Sequence, residues 1–275
     1  MSDPSANLRR RRRLSLRRKV KKQKAHVMSM MEHLEELRDR LIRSVGIFAV
    51  ISIVAFIFFN AISDFLLSPL CALPAERLGP NGCDLIVTGA LEPVSVRLKV
   101  SALTAVVVGA PFFLYQIYAF VVPGLSTKEK KYALPFILLS SMFFLLGTTF
   151  AYLTLPKGLD FLLALGGENF VPFFKAADYL NFVGLVFIAF GVTFELPLLV
   201  FFLGLAGVVS VEQLKGFRKG AIVSITLLSA VVTPSQDPFT MLAMAVPLYL
   251  FYEGTILALR LIGRRKKAAS GASVS

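Results

Sequence analysis

An apolar run of thirty-two residues, 179–210, constrains the fold of this chain more than any other feature. About 20 apolar residues are enough to cross a bilayer core of about 30 Å. Glu195 is the only ionisable side chain between Tyr179 and the end of the run. Insertion scales assign roughly 2.5–3.5 kcal/mol to a charged group at this depth. The run therefore predicts an integral membrane protein, in which Glu195 either serves a function at membrane depth or joins helices as a neutral hydrogen-bonded group.

The composition agrees with a membrane protein. Apolar residues make up 56% of the 275 residues, charged residues only 17%, and the mean hydropathy is +0.70. A soluble globular fold cannot bury so much apolar surface. The net charge of +13 does not indicate nucleic-acid binding, because the basic residues lie between apolar segments and do not alternate with stacking aromatic residues.

Six apolar segments predict an all-α polytopic protein. They cover residues 44–65, 100–122, 132–155, 179–207, 220–232 and 238–262. The fifth has only thirteen residues and is short for a complete crossing. Prolines 111, 135, 197 and 247 lie within the segments and predict kinked helices. The resulting domains are a basic disordered cytoplasmic tail (1–29), a six-span membrane domain (30–263) and a second basic cytoplasmic tail (264–275).

The distribution of Lys and Arg predicts the orientation. Twenty-five of the thirty basic residues lie before the first segment, in the loops around Lys128 and Lys215, or at the C-terminal end. The alternate loops contain the other five. Because cytoplasmic loops are enriched in Lys and Arg, both termini are predicted to be cytoplasmic. Cys71 and Cys83 lie in an opposite loop, where a disulfide and two unpaired thiols both remain open interpretations.

Four polar groups are candidates for function. The segment 31–44 has i,i+4 spacings for ion pairs Glu36–Arg40 and Asp39–Arg43, and it is either an interfacial helix or an acidic patch for a basic ligand. The loop 123–132 contains Glu129 among three lysines. The segment 233–240 either lines a polar cavity or turns the chain. Glu195 is the fourth candidate.

Catalysis is not predicted. Both histidines, His26 and His33, precede the first apolar segment, and no HExxH, GxSxG or phosphate-binding loop occurs. Glu195 alone cannot form the two-carboxylate dyad of an intramembrane aspartyl protease. We therefore expect no catalytic residues, no metal site and no cofactor.

Six motifs, in this order, resemble the TatC family, the multispanning receptor of the twin-arginine protein translocation system. They are MEHLEELRDRL (31–41), EPVSVRLKVS (92–101), PFFLYQIYAFVVPGLSTKEKK (111–131), FGVTFELP (190–197), TPSQDPFT (233–240) and FYE (251–253). The resemblance covers about residues 30–260. It implies a cupped bundle of six kinked helices in a bacterial-type cytoplasmic membrane, with both termini inside.

The resemblance also implies a function and its residues. The cytoplasmic face of such a protein binds the paired arginines of signal peptides on folded cargo, and export depends on the proton-motive force. The residues that match the family's signal-peptide site are Glu36, Arg38, Phe120, Leu125 and Glu129. Carboxylates suit this role because they accept a guanidinium group through two parallel hydrogen bonds.

A second site is implied for partner subunits within the membrane. Glu195, Thr233 and Asp237 match the polar positions at which the family holds single-span partners of the TatA and TatB type. A homo-oligomer within the complex is also expected. The alternative from the residues alone is a proton-coupled transporter of small molecules with Glu195 as the proton carrier, although no internal repeat supports it.

Overall fold

The computed structural model describes residues 30–121, 133–166, 172–233 and 237–271, and most of these residues are helical. Residues from Gly46 onward form one compact unit, which contains all of the helix packing described below. The predicted tail 1–29 lies outside the described residues. The α-helices of the described residues are α1 (Met30–Ile57), α2 (Phe59–Cys71), α3 (Glu92–Val121), α4 (Ala133–Leu165), α5 (Ala176–Leu205), α6 (Val211–Gly216), α7 (Arg218–Val232) and α8 (Pro238–Gly271).

Five helices in the described part of the chain are long and apolar enough to cross a membrane, whereas the sequence predicted six spans. They are Met31–Ile57, Glu92–Phe120, Leu134–Leu165, Ala176–Leu205 and Pro238–Gly263. The segment predicted as the fifth span forms α7, whose 15 residues extend about 22 Å at 1.5 Å per residue. Helix α8 continues to Gly271, into the predicted C-terminal tail. Pro111, Pro197 and Pro247 lie inside helices that continue through them.

The first predicted span, 44–65, is not one continuous helix. Helix α1 ends at Ile57 and α2 begins at Phe59. Arg97 of α3 binds at this break, where its Nε and Nη2 donate to the Phe56 carbonyl oxygen at 3.1 and 2.9 Å. Its guanidinium carbon lies 4.4 Å from the ring centroid of Phe56 and 5.3 Å from that of Phe59. The arginine therefore satisfies a carbonyl group at a helix end and stacks on both flanking rings.

Helices α4 and α5 form the centre of the bundle. The Phe150 ring of α4 lies 6.4 Å from that of Phe190 and 6.0 Å from that of Phe194 in α5, and both α5 side chains are buried. Gly147 permits this close approach, since a Cβ atom there would lie 2.7 Å from the carbonyl oxygen of Phe190. Small residues are typical of such contacts between membrane helices, because they let two backbones come close together.

The loops α2–α3 and α4–α5 are joined to each other at one end of the bundle. The Ile86 amide donates to the Phe174 carbonyl at 2.9 Å, and the Ala176 amide donates to the Ile86 carbonyl at 3.0 Å. Cys71 and Cys83 form a disulfide within the α2–α3 connection, with their Cα atoms 5.1 Å apart. Of the two interpretations that the sequence left open, the structure has the bonded pair.

Candidate functional site

Glu195 and Ser140 form a polar contact between α5 and α4. The Ser140 hydroxyl, which is completely buried, donates to Oε2 of Glu195 at 2.6 Å. The other carboxyl oxygen, Oε1, is buried and has no hydrogen-bond partner among the described residues. Glu195 lies ten residues before the end of α5, about 15 Å along the helix, and therefore at membrane depth. A half-satisfied carboxyl group in this position retains the capacity for one more polar partner.

An apolar cleft of about 230 Å³ begins one turn from Glu195. Phe143 of α4, Pro197 and Phe201 of α5, and Phe251 of α8 contribute to its walls. The Thr255 hydroxyl of α8 donates to the Pro197 carbonyl at 3.3 Å, which fixes α8 against α5 beside the cleft. Glu195 is therefore a polar side chain near the edge of an apolar cleft that α4, α5 and α8 form.

Thr233 and Asp237 are both buried, and both serve the turn between α7 and α8. The Thr233 hydroxyl donates to the carbonyl of Ser229 in its own helix at 2.8 Å. Asp237 precedes the first residue of α8, and its Oδ1 accepts from the Thr240 amide at 2.7 Å. This contact is an N-cap. No hydrogen bond among the described residues joins Glu195 to either side chain, so the structure does not bring the predicted partner-binding residues into one cluster.

Glu36 lies in α1 and forms the ion pair with Arg40 that its spacing predicted. Both guanidinium contacts use Oε1, whereas Oε2 is buried and has no hydrogen-bond partner in the part of the chain that the structure describes. The predicted Asp39–Arg43 pair is wrong: Asp39 instead lies 3.4 Å from Nη2 of Arg38, and both side chains are largely exposed. Asp39 is thus paired with Arg38, its neighbour in the sequence, although i,i+1 side chains do not normally face each other on a helix.

The remaining predicted signal-peptide residues are only partly described. Phe120 is the last residue of the apolar span of α3 and is half-buried. Leu125 and Glu129 lie outside the described residues. Within the described ranges, no group of three or more His, Cys, Asp or Glu side chains is arranged to hold a metal ion.

Sequence reasoning missed three polar residues that organise the fold. Ser140 binds Glu195, Arg97 binds the α1–α2 break, and Glu92 accepts from the amides of Thr88 and Ala177 at 2.7 and 3.3 Å. A signal for Ser140 existed, because the pair Ser140–Ser141 interrupts an otherwise apolar span. Phe56, which Arg97 binds, and Ala177, which Glu92 binds, lie too far away in the sequence for any local pattern to indicate them.

Comparisons with known proteins agree with this fold. The profile of the family described as "Sec-independent protein translocase protein (TatC)" matches residues 32–247. A TatC protein of Frankia casuarinae is 43% identical over 236 residues, which are 84% of this chain and 65% of the relative. A TatC protein of Aquifex aeolicus is 37% identical over 243 residues, which are 87% of this chain and 98% of the relative.

The solved structures give the same result. A crystal structure of the twin-arginine translocase receptor TatC in DDM has a TM-score of 0.68 and 36% sequence identity, and the match covers 82% of this chain and 99% of that one. The chain spans only 65% of the relatives from Frankia casuarinae and Corynebacterium kroppenstedtii. The profile nevertheless matches well over half of the present sequence. This chain belongs to the TatC family of Sec-independent protein translocase proteins.

Proposed function

We propose that this protein is the receptor and core subunit of a twin-arginine translocase. It recognises the paired arginines of signal peptides on folded proteins, and it assembles with single-span subunits of the TatA and TatB type and with further copies of itself. Export is driven by the proton-motive force. The family is one of protein transport and not of enzymes. Membership in it favours this function over the small-molecule transporter that Glu195 alone left open.

The observation that carries signal-peptide recognition is the half-used carboxylate of Glu36. Arg40 occupies Oε1 only, and Oε2 has no hydrogen-bond partner. A carboxylate has lone pairs for about four hydrogen bonds, so a second guanidinium group can bind beside Arg40 once a change of the Glu36 rotamer exposes the buried Oε2. The Glu36–Arg40 pair is of the same chemical type as the contact proposed for an incoming arginine. Glu129, Phe120, Leu125 and Arg38 complete the proposed site.

Crosslinking of a twin-arginine peptide tests this proposal. Glu36→Gln removes the charge but keeps the shape, and we expect roughly tenfold weaker crosslinking, since a charge-assisted hydrogen bond contributes about 1.5–3 kcal/mol. Glu35→Gln is the matched control, because it removes the same charge from the neighbouring exposed position. Unchanged crosslinking in Glu36→Gln, or an equal loss in Glu35→Gln, would contradict a specific role for Glu36.

We propose Glu195 as the contact for a partner helix. Its Oε2 accepts a hydrogen bond from Ser140, whereas its Oε1 has no partner among the described residues. The apolar cleft nearby offers a surface for a helix. Thr233 and Asp237 then contribute through the turn that they stabilise. Their side chains are already engaged, so direct contact with the partner is not required of them.

The proposed topology has six spans in a cupped bundle with both termini in the cytoplasm of a bacterial-type cell. Helix α7 is the fifth of these spans, in spite of its length. Its first residue, Arg218, donates to Glu253 of α8 at 2.6 Å, so the two helices form an antiparallel hairpin that returns to the same face. The hairpin extends about fifteen residues from Glu253 back to Pro238, or about 22 Å.

A further inference from the structure

A cleft of about 310 Å³ lies where α6, α7 and α8 meet, and three cationic side chains from three helices line it. They are Lys215 of α6, Arg218 of α7 and Arg260 of α8. The cleft contains a single carboxylate, Glu253, and its apolar wall includes Ile256 and Leu257. Gly254 also lines the apolar cleft near Glu195, but none of the charged residues of this cleft belongs to the candidate sites described above.

The geometry of the cleft is fixed by contacts around Glu253. Arg218 donates to its Oε2 at 2.6 Å, and the Tyr249 hydroxyl donates to its Oε1 at 3.1 Å. The Tyr252 hydroxyl donates to the Leu214 carbonyl at 2.6 Å, which holds the residue before Lys215 against α8. The carboxylate is therefore occupied by groups of the protein itself, and it balances only the charge of Arg218.

Lys215 and Arg260 leave the cleft with an excess of positive charge. Both are exposed, and neither forms an ion pair with a carboxylate in the described part of the chain. The ion pair of Arg218 uses only its Nη2, so the guanidinium retains further N–H donors. Two unpaired cations beside an arginine with spare donors form a site for an anion that carries several acceptor oxygens.

The depth of the cleft identifies the class of anion. Arg260 lies three residues before Gly263, the end of the apolar span of α8, and Leu257 lies one turn deeper. The cations are thus at the level of lipid head groups, and the apolar wall points toward the acyl chains. Basic clusters at span ends on the cytoplasmic side attract anionic lipids, and pockets between helices there bind their head groups.

We propose that this cleft binds the phosphodiester head group of an anionic phospholipid, with Lys215, Arg218 and Arg260 as its ligands. The site stabilises the α6–α8 region by joining three helices through one lipid. The twenty-five Lys and Arg residues that the sequence predicts to be cytoplasmic would attract anionic lipid in any arrangement. The proposal is more specific than this general attraction, because it assigns one lipid head group to a defined site formed by three of these residues. It rests on the proposed topology, which puts the cleft on the cytoplasmic side, and not on the recognition of signal peptides.

Native mass spectrometry of the full chain in detergent tests the site, with phosphatidylglycerol and phosphatidylcholine of identical acyl chains as probes. The double variant Lys215→Gln/Arg260→Gln removes the two unpaired cations. We expect it to bind phosphatidylglycerol roughly 20- to 30-fold more weakly and phosphatidylcholine equally well, since each cation near the membrane contributes about one factor of five. High salt should weaken only the binding of phosphatidylglycerol to the unmodified chain.

Two further variants and one soluble probe make the test decisive. The control Lys219→Gln/Arg43→Gln removes the same charge from outside the cleft and should leave binding unchanged. Lys215→Arg/Arg260→Lys keeps the charge and should retain most of the binding. An equal loss in the control, or full binding by the double Gln variant, overturns the site. If inorganic phosphate binds to the unmodified chain as well as phosphatidylglycerol does, the assignment to a lipid is overturned.

Discussion

Glu195 and Asp237 are both acids in apolar surroundings, and their hydrogen bonds separate their roles. Asp237 is only 2% exposed, and both of its carboxyl oxygens bind Thr240 at the start of α8. Glu195 has one oxygen bound by Ser140 and one without a partner. A carboxylate whose oxygens are both used within its own chain stabilises that chain. The unpartnered oxygen of Glu195 is therefore the better candidate for contact with another subunit.

Substitution of Glu195 tests the contact with a partner subunit. Glu195→Ala should reduce copurification of a single-span partner roughly tenfold, because an interhelical hydrogen bond in a membrane contributes about 1–2 kcal/mol. Glu195→Gln should retain most of the yield, since an amide can still accept from Ser140 and still presents a polar group. Full copurification by Glu195→Ala would refute the role. A loss in Glu195→Gln as large as in Glu195→Ala would show that the charge itself is required.

The serine pair supplies a matched control for this experiment. Ser140→Ala removes the donor to Glu195, whereas the Ser141 hydroxyl donates to the Ile137 carbonyl of its own helix. We expect Ser140→Ala to weaken partner binding and Ser141→Ala to leave it unchanged.

Substitution of Asp237 should change stability first. Asp237→Ala removes the N-cap of α8 and should destabilise the folded chain by about 1 kcal/mol. Asp237→Asn should keep most of the stability, because an asparagine side chain also caps a helix. Thermal unfolding of the purified chain in detergent measures both. If Asp237→Ala unfolds at the unaltered temperature but loses its partner, Asp237 contacts the partner directly and the capping role is secondary.

At the scale of elements, the sequence predicted the long helices and missed how they end. Helices α3, α4, α5 and α8 each contain an apolar run that has no other stable form in a membrane, because backbone groups in lipid must be satisfied internally. The break after Ile57 was not predictable from its neighbours. It depends on Arg97, forty-one residues away from the Phe56 carbonyl that it binds. The serine pair 140–141 marks a polar point in α4, but its contact with Glu195, fifty-five residues away, was not predictable for the same reason.

Arg97 should therefore be essential to the α1–α2 break. Arg97→Ala removes two hydrogen bonds and the stacking on Phe56 and Phe59, and we expect a loss of about 2 kcal/mol in stability. Lys99→Ala is the control, since it removes an exposed cation from the same helix. Thermal unfolding in detergent provides the comparison. Equal effects of the two substitutions would mean that Arg97 contributes only its charge.

For the whole molecule, helices differ in how much of their surface the chain itself covers. In the most apolar window of α5, 44% of the residues are buried, but in that of α1 only 6% are. Helix α5 packs against α3, α4 and α8, whereas most large apolar side chains of α1 are exposed in the single chain. Composition predicted a membrane protein correctly, but it could not distinguish a central helix from a peripheral one, because both are equally apolar.

The number of crossings is the property of the whole molecule that most needs a direct test. Five spans would place the termini on opposite sides of the membrane, and six would place them on the same side. Helix α7 decides between them, and its 15 residues are too few for a bilayer core of about 30 Å unless the bilayer thins locally. The ion pair between Arg218 and Glu253 favours six, because it brings the start of α7 to the level of the last part of α8.

Labelling of single introduced cysteines with a membrane-impermeant maleimide measures the topology. Cys71 and Cys83 are bonded to each other and should not react. Val87→Cys, in the α2–α3 loop, should be labelled in intact cells. Lys219→Cys and Ser275→Cys should be labelled only after permeabilisation, because both lie on the cytoplasmic face in a six-span arrangement. Labelling of Ser275→Cys in intact cells would mean that α7 does not cross, and it would refute both the six-span topology and the cytoplasmic C-terminus.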